Sequence, residues 1–221
     1  MTKRGTQGSP FVVAHRSGNS LSALKLAEGL GVRTIEADVH LHRGRLEVRH
    51  LKTLGPIPLL WDRWTLARPW ARRLVVPELL EAVAPPTELV LDLKGGNRLL
   101  SERVLEALAP RLAGGHGVTV CARSWPLLEP FAGVECVRSV HSVGSARQLA
   151  RLRRRLGGRR IQGISIHERL LDSRCVRELG EVADLVLTWP VNTVERAREL
   201  AAWGVDGLIS DRPDLVRAEA L

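Results

Sequence analysis

The chain has 221 residues, 44% hydrophobic and 26% charged, a balance that excludes a disordered chain and allows a sizeable core. Its longest uncharged stretches, Thr53–Trp61 and Leu185–Val194, reach about half of the ~20 apolar residues a membrane-crossing helix needs, and the opening MTKRGTQGSP lacks the apolar segment of a secretory signal. The net charge of +9 rests on 33 basic residues, 29 of them Arg, which reads as compositional bias before it reads as a nucleic-acid footprint, so no nucleic-acid partner is expected.

Residues 1–10 read as a flexible tail and 11–221 as one domain. Short runs rich in Val, Ile and Leu recur at Phe11–His15, Thr34–Val39, Leu89–Lys94, Val118–Ala122, Glu135–Val140, Gly163–His167, Leu185–Val191 and Gly207–Ser210, each fitting a buried strand. Helical spacing lies between them. Ser20–Leu30 puts Leu21, Leu24, Ala27 and Leu30 on one face, and Asn97–Leu112, Ser145–Leu156, Asp172–Glu181 and Thr193–Trp203 read similarly. Ser20, Asn97, Ser145, Asp172 and Thr193 are suited to N-caps, and Gly31, Gly114 and Gly204 to helix stops. Eight strands alternating with helices in this length predict an α/β fold, a closed (β/α)8 TIM barrel. An open doubly wound sheet is the alternative, but no G-x-G-x-x-G turn follows the first strand.

One interval breaks the rhythm. His40–His50 reads as a hairpin turning at Arg43-Gly44, and LKTLGPIPLLWDRW follows without helical spacing. This predicts a small hairpin and loop insertion after strand two, on the face where barrels of this type build their sites. Trp61, Trp64 and Trp70 in it suit lid packing first and a lipid-facing rim second. Cys121, Cys136 and Cys175 are too scattered for a disulfide framework and read as core thiols, with the cytoplasm as the expected compartment. Arg147–Arg160 holds seven Arg and no acid. It reads first as a solvated helix face and second as a weak contact with an anionic membrane or substrate.

Polar residues interrupt the apolar runs at one end. Strand one ends in His15-Arg16, strand two carries Glu36 and Asp38, and strand three carries Asp92 and Lys94. Alternation puts Glu36 with Asp38 on one face, and Asp92 with Lys94 on one face. Three carboxylates gathered in a low-dielectric site repel unless a cation joins them, and hard oxygen ligands suit Mg²⁺ or Ca²⁺. His141 and His167 end strands five and six near the same mouth. His40 shares the face of Asp38, with His42 further along. His116 precedes strand four and reads as structural, and Asp211 reads as the cap of a last helix that starts at Arg212-Pro213.

The stretch AHRSGNSLSALKLAEGLGVRTIEADVHLHRGRLEVRH, with VLDLKGG and LVLTWPVNTVERARELAAWGVDGLISDRPDLV, resembles the glycerophosphodiester phosphodiesterase family over residues 11–217. The resemblance implies metal-dependent hydrolysis of a glycerophosphodiester to glycerol phosphate and an alcohol. It implies His15 and His50 as general acid and base, without saying which is which. It also implies Glu36, Asp38 and Asp92 as metal ligands, and Arg16, Lys94 and Trp189 at the substrate, where His167 is expected too. Four positions depart from the family pattern: Ser17 for glycine, Gly18 for an acidic residue, Leu51 for the Asp after the second histidine, and Asp92 for Glu. His15, Glu36, Asp38, His50, Asp92 and Lys94 are also similar to sphingomyelinase D enzymes, which implies lysophospholipids as the alternative substrate and a cyclic phosphate as an alternative product. A non-catalytic barrel binding phosphate groups or an anionic surface is the third expectation.

Overall fold

The computed structural model describes residues 9–50 and 72–214, together with the backbone of the strands at 52–54, 57–62 and 65–67. Eight parallel strands close on themselves: β1 (Phe11–Ala14), β2 (Thr34–His42), β7 (Glu88–Lys94), β8 (Val118–Ala122), β9 (Val137–Val143), β10 (Gly163–His167), β11 (Val186–Trp189) and β12 (Gly207–Ser210). The ring shuts because β1 pairs with β12 on one side, Val13 opposite Ile209, and with β2 on the other, Val13 opposite Thr34. The architecture is a (β/α)8 barrel. Strand β9 lies further along the chain than the sequence suggests, covering Val137–Val143 rather than Glu135–Val140.

Among the described residues six α-helices surround the ring: α1 (Leu21–Gly29), α2 (Val76–Ala82), α3 (Arg98–Ala113), α4 (Ala146–Leu156), α5 (Ser173–Val182) and α6 (Val194–Trp203). Five begin where a side chain can satisfy an orphan backbone N–H. Ser20 accepts from Ala23 N, Asn97 from Leu99 N, Ser145 from Gln148 N, Asp172 from Cys175 N and Thr193 from Arg196 N. Helix α2 escapes the sequence reading because it is only seven residues long, too short for a periodic signal. The β8–β9 crossover is a 3₁₀ helix, Trp125–Phe131, held by prolines at 126 and 130. Leu21 is exposed rather than packed.

After β2 the chain turns through Arg43 and Gly44, both with positive φ, and β3 (Arg45–Val48) returns antiparallel, Leu41 opposite Leu46. Beyond it, where the sequence reads as an irregular loop, β4 (Lys52–Leu54), β5 (Ile57–Asp62) and β6 (Thr65–Ala67) form a separate antiparallel sheet. These strands are short and interrupted by proline, which hides any alternation. Leu51, Trp64 and Trp70 lie outside the described residues, as does the side chain of Trp61.

Alternation along the strands divides the core in two. Outward residues Ile35, Ala37, Val39, Leu89, Leu91 and Leu93 pack under the helices α1 to α3, and Ile164, Ile166, Val186 and Leu208 under α4 to α6. Inward residues Val13, Val90, Cys121, Val140, Leu187 and Ile209 fill the axis. Gly207 belongs to this inner set: a Cβ there would stand 2.5 Å from Leu187 Cδ2, so its lack of a side chain makes room for a larger neighbour. Cys121 and Cys175 are buried thiols, but Cys136 is exposed at a positive-φ turn and is not a core residue. The arginine cluster is partly neutralised: Arg153 pairs with Glu178, Arg160 with Asp184, and Arg151 lies over Trp125. Among the described residues no helix is long and apolar enough to cross a membrane.

Leu187→Ala opens a cavity at the centre of the axis and is expected to cost about 2–5 kcal/mol, read as a lower urea midpoint at unchanged slope.

Candidate active site

Several inward rows carry polar or aromatic side chains toward the C-terminal end of the barrel. Strand β2 carries Glu36 and Asp38 above Thr34, β7 carries Asp92 and Lys94 above Val90, and β11 carries Trp189 above Leu187. The result is a cavity of about 110 Å³ lined by His15, Arg16, Glu36, His50, Asp92, Lys94 and Trp189, with Cys121, Arg123, Ser142 and Ser165 on the far wall.

Glu36, Asp38 and Asp92 each offer a carboxylate oxygen within 4.8 Å of the others', and Glu36 and Asp38 are buried. Burial, with the nearby Asp38 charge, pushes the Glu36 carboxyl up to about 7 against the pull of His15 and Lys94. Asp92 is raised by the same burial, although Lys94 opposes it. Asp38 goes the other way. Burial works against its charge, but Lys94, a hydrogen bond from Asn19 and the nearby His50 hold it below the usual range. Lys94 Nζ lies 2.6 Å from Asp38 Oδ1 and also pairs with Asp92 Oδ2. Burial disfavours its charge, but the three carboxylates together raise its affinity for the proton above the ordinary lysine value. One ammonium facing three buried carboxylates leaves surplus negative charge, and Asp92 Oδ1 is buried with no hydrogen-bond partner. An all-oxygen, charge-rich donor set with an orphaned oxygen fits a hard divalent cation.

The turn after β1 orients this cluster. Arg16 adopts a left-handed conformation, φ 57°, which turns its backbone N–H onto Glu36 Oε2 at 2.6 Å. Asn19 donates to Asp38 Oδ2 at 2.8 Å and accepts from the Asp38 backbone N–H at 2.8 Å, a two-point grip. Gly18 is pressed against β2 between them: a Cβ there would stand 2.7 Å from Ala37 Cβ and 3.1 Å from Glu36 O. The missing acidic side chain at this position therefore has a packing reason.

The two histidines face the cavity with different partners. His15 Nδ1 is bonded to Asp211 Oδ1 at 2.6 Å, which leaves Nε2 as the nitrogen available to the cavity. Burial lowers the His15 pKa, but Asp211 and Glu36 outweigh it and the net shift is upward; the same bond holds Asp211 down at about 2. His50 Nε2 lies 2.6 Å from Arg16 Nη2. A guanidinium only donates, so this nitrogen is the acceptor and carries no proton.

Other expectations differ in detail. Asp211 bonds His15 Nδ1 and accepts from Asn192 Nδ2, and the last helix it is expected to cap lies outside the described residues. His141 packs its ring against Trp125 on the outer side of β9, away from the mouth. His167 stands behind Trp189, edge to its ring at 4.8 Å, with Nδ1 accepting from Arg169 N. His40 continues the inward row above Asp38, and burial with Arg49 pushes its imidazole down to about 4, so it is neutral. Sequence reasoning passes over Asn19 and Arg123 and reads Asp211 only as a cap. Inward alternation after Cys121 is the signal that could have found Arg123.

No protein-family model matches the sequence, and no curated protein matches it. Solved structures do. An Oleispira antarctica phosphodiesterase in complex with the product sn-glycerol-3-phosphate superposes with a TM-score of 0.75 at 18% identity, over 96% of this chain and 96% of that one. A glycerophosphodiester phosphodiesterase from Thermotoga maritima gives 0.73 at 18% identity over 93% and 96%. Another from Parabacteroides distasonis gives 0.72 at 17% over 95% and 95%. The chain shares their barrel along almost its whole length.

Gly18→Ala is expected to cost about 1–3 kcal/mol through overpacking against Ala37, measured by chemical denaturation. Gly18→Glu, which restores the acid of the resembled family, is expected to destabilise at least as much.

Proposed function

We propose that the chain is a glycerophosphodiester phosphodiesterase that needs a divalent cation and uses His15 and His50 for proton transfer. The observation that carries this is the convergence of both histidines, Arg16, Lys94 and a three-carboxylate cluster on one cavity at the C-terminal mouth of the barrel, which Glu36 and Asp92 line directly. The shared fold supports it, because the neighbours of that fold include phosphodiesterases, one of them holding sn-glycerol-3-phosphate.

Glu36, Asp38 and Asp92 would hold the cation, Mg²⁺ or Ca²⁺. Once bound it would neutralise charge that builds on the phosphodiester oxygens. Arg16 and Lys94 add fixed positive charge beside the same oxygens. The hydrogen bonds divide the two histidines. His15, with Nδ1 bonded to Asp211, is suited to present a proton from Nε2 to the departing alcohol oxygen. His50, with Nε2 as an acceptor, is suited to remove a proton from the attacking hydroxyl once an incoming phosphate draws the Arg16 guanidinium away. The attacking hydroxyl is either water or the substrate's own neighbouring hydroxyl, the latter giving a cyclic phosphate first. A cytoplasmic location belongs to the same proposal, and the free thiols of Cys121, Cys136 and Cys175 support it.

Phosphorus NMR of the protein with glycerophosphoglycerol, glycerophosphocholine and a lysophospholipid, in Mg²⁺, in Ca²⁺ and in chelator, tests the activity. Metal-dependent loss of a glycerophosphodiester signal is expected, and the product shift separates linear from cyclic phosphate. Loss of the lysophospholipid alone would assign the chain to phospholipase D-type chemistry, and no loss in either metal would overturn the proposal. His15→Ala and His50→Ala are each expected to lower the rate by at least about a hundredfold, and retained activity in either removes that residue from the mechanism. Asp211→Asn removes a bond that raises the His15 pKa, so that pKa falls. The alkaline limb of kcat/KM then moves to lower pH, and an unmoved limb would exclude His15 as the proton donor.

A further inference from the structure

Arg123 leaves the end of β8 on the inward row of Thr119 and Cys121, beside the Asp92–Lys94 end of β7, and lines the cavity. The other cations of the wall are engaged: Lys94 with Asp38 and Asp92, and Arg16 with His50. Arg123 forms no ion pair with a carboxylate among the described residues, although its charge acts on Asp92 and on His167, favouring the charged carboxylate and the neutral imidazole. Its guanidinium lies over the Trp189 ring, 5.0 Å from the centroid, while His167 meets the same ring edge-on at 4.8 Å. Gly144 keeps the place clear. A Cβ there would stand 3.0 Å from Arg123 Nη2 and 3.2 Å from Cζ, and the Gly144 N–H is anchored on Gln148 Oε1 at 2.9 Å. The guanidinium is thus seated in a slot between a tryptophan face and a glycine backbone, in the wall of the cavity, with no carboxylate in direct contact to hold it.

A ring face already covered by a guanidinium cannot also cradle a quaternary ammonium, and the positive charge repels one. A planar, fixed guanidinium is suited instead to a bidentate grip on a phosphate or carboxylate. We infer that Arg123, seated by Trp189 and Gly144, is a specificity-determining residue that selects glycerophosphodiesters whose alcohol carries a second anionic group, such as a phosphomonoester, and disfavours cationic headgroups. The inference deepens the phosphodiesterase proposed above and rests on it for turnover, but not for binding.

The test compares three substrates, glycerophosphocholine, glycerophosphoinositol and glycerophosphoinositol 4-phosphate, in wild type and Arg123→Gln. Wild type is expected to favour the 4-phosphate over glycerophosphoinositol by about tenfold in kcat/KM, the scale of one charge-assisted contact. In Arg123→Gln the ratio falls to near one, through KM rather than kcat, because the loss falls on the 4-phosphate far more than on glycerophosphoinositol, and glycerophosphocholine improves relative to glycerophosphoinositol. Gly144→Ala, which crowds the guanidinium but keeps its charge, is expected to fall between. An unchanged ratio overturns the inference, and so does an equal loss on all three substrates, because Arg123 would then serve the scissile phosphate. Calorimetric titration of the two inositol ligands in chelator reads the same preference without turnover. If wild type turns over nothing but binds the 4-phosphate more tightly, and Arg123→Gln loses that difference, the inference stands and the proposed activity falls. If wild type binds the two alike, the inference falls.

Discussion

Three carboxylates share a space less than 5 Å across in the mouth of this barrel, and the arrangement around them answers that crowding. Charges of one sign at such distances in a poorly solvated site must gain a proton, a counter-ion or strong hydrogen bonds. All three remedies are visible. Glu36 is pushed toward neutrality, Lys94 inserts its ammonium between Asp38 and Asp92, and Asn19 and the Arg16 N–H spend hydrogen bonds on Asp38 and Glu36. The left-handed turn at Arg16 and the side-chain-free Gly18 follow from the same need, because they bring the β1–α1 connection down onto β2.

The scaffold that makes this crowding tolerable is the strand alternation. One row of each strand is spent on the axis and the other on the helices, so a polar residue in the inward row has nowhere to go except the mouth or the base. Apolar side chains close the base around Leu185, Leu187 and Val13. The polar ends of β1, β2 and β7 therefore collect at the open end, where bulk solvent and an arriving ion can reach them. Stability and chemistry are divided by height along the axis rather than by region of sequence.

Much of this was legible in the chain. Ser20, Asn97, Ser145, Asp172 and Thr193 stand at helix starts because a short polar side chain before an apolar spacing has one favourable use. Glu36, Asp38, Asp92 and Lys94 stand out because charged residues inside apolar runs are rare unless they face something. Asp211 was not legible as a partner of His15, since the contact spans 196 positions and exists only once the ring closes. Arg123 is one arginine among 29, and only the neighbouring glycine and tryptophan give it a distinct surrounding. The small sheet β4 to β6 hid behind prolines and lengths of three to six residues. Gly18 looked like the loss of a functional residue, and only packing against Ala37 reveals that a side chain has no space there.

The bond between His15 and Asp211 ties the first strand of the ring to the residue just beyond the last. Until β12 docks beside β1, His15 has no partner to set its ring. The acidic cluster rests on β2 and β7 alone, whereas the His15 ring is oriented only where β12 closes the barrel. The proton-transfer role proposed for His15 is thereby tied to ring closure: a barrel without β12 would keep Glu36, Asp38 and Asp92 together but would lack the bond that orients the His15 ring.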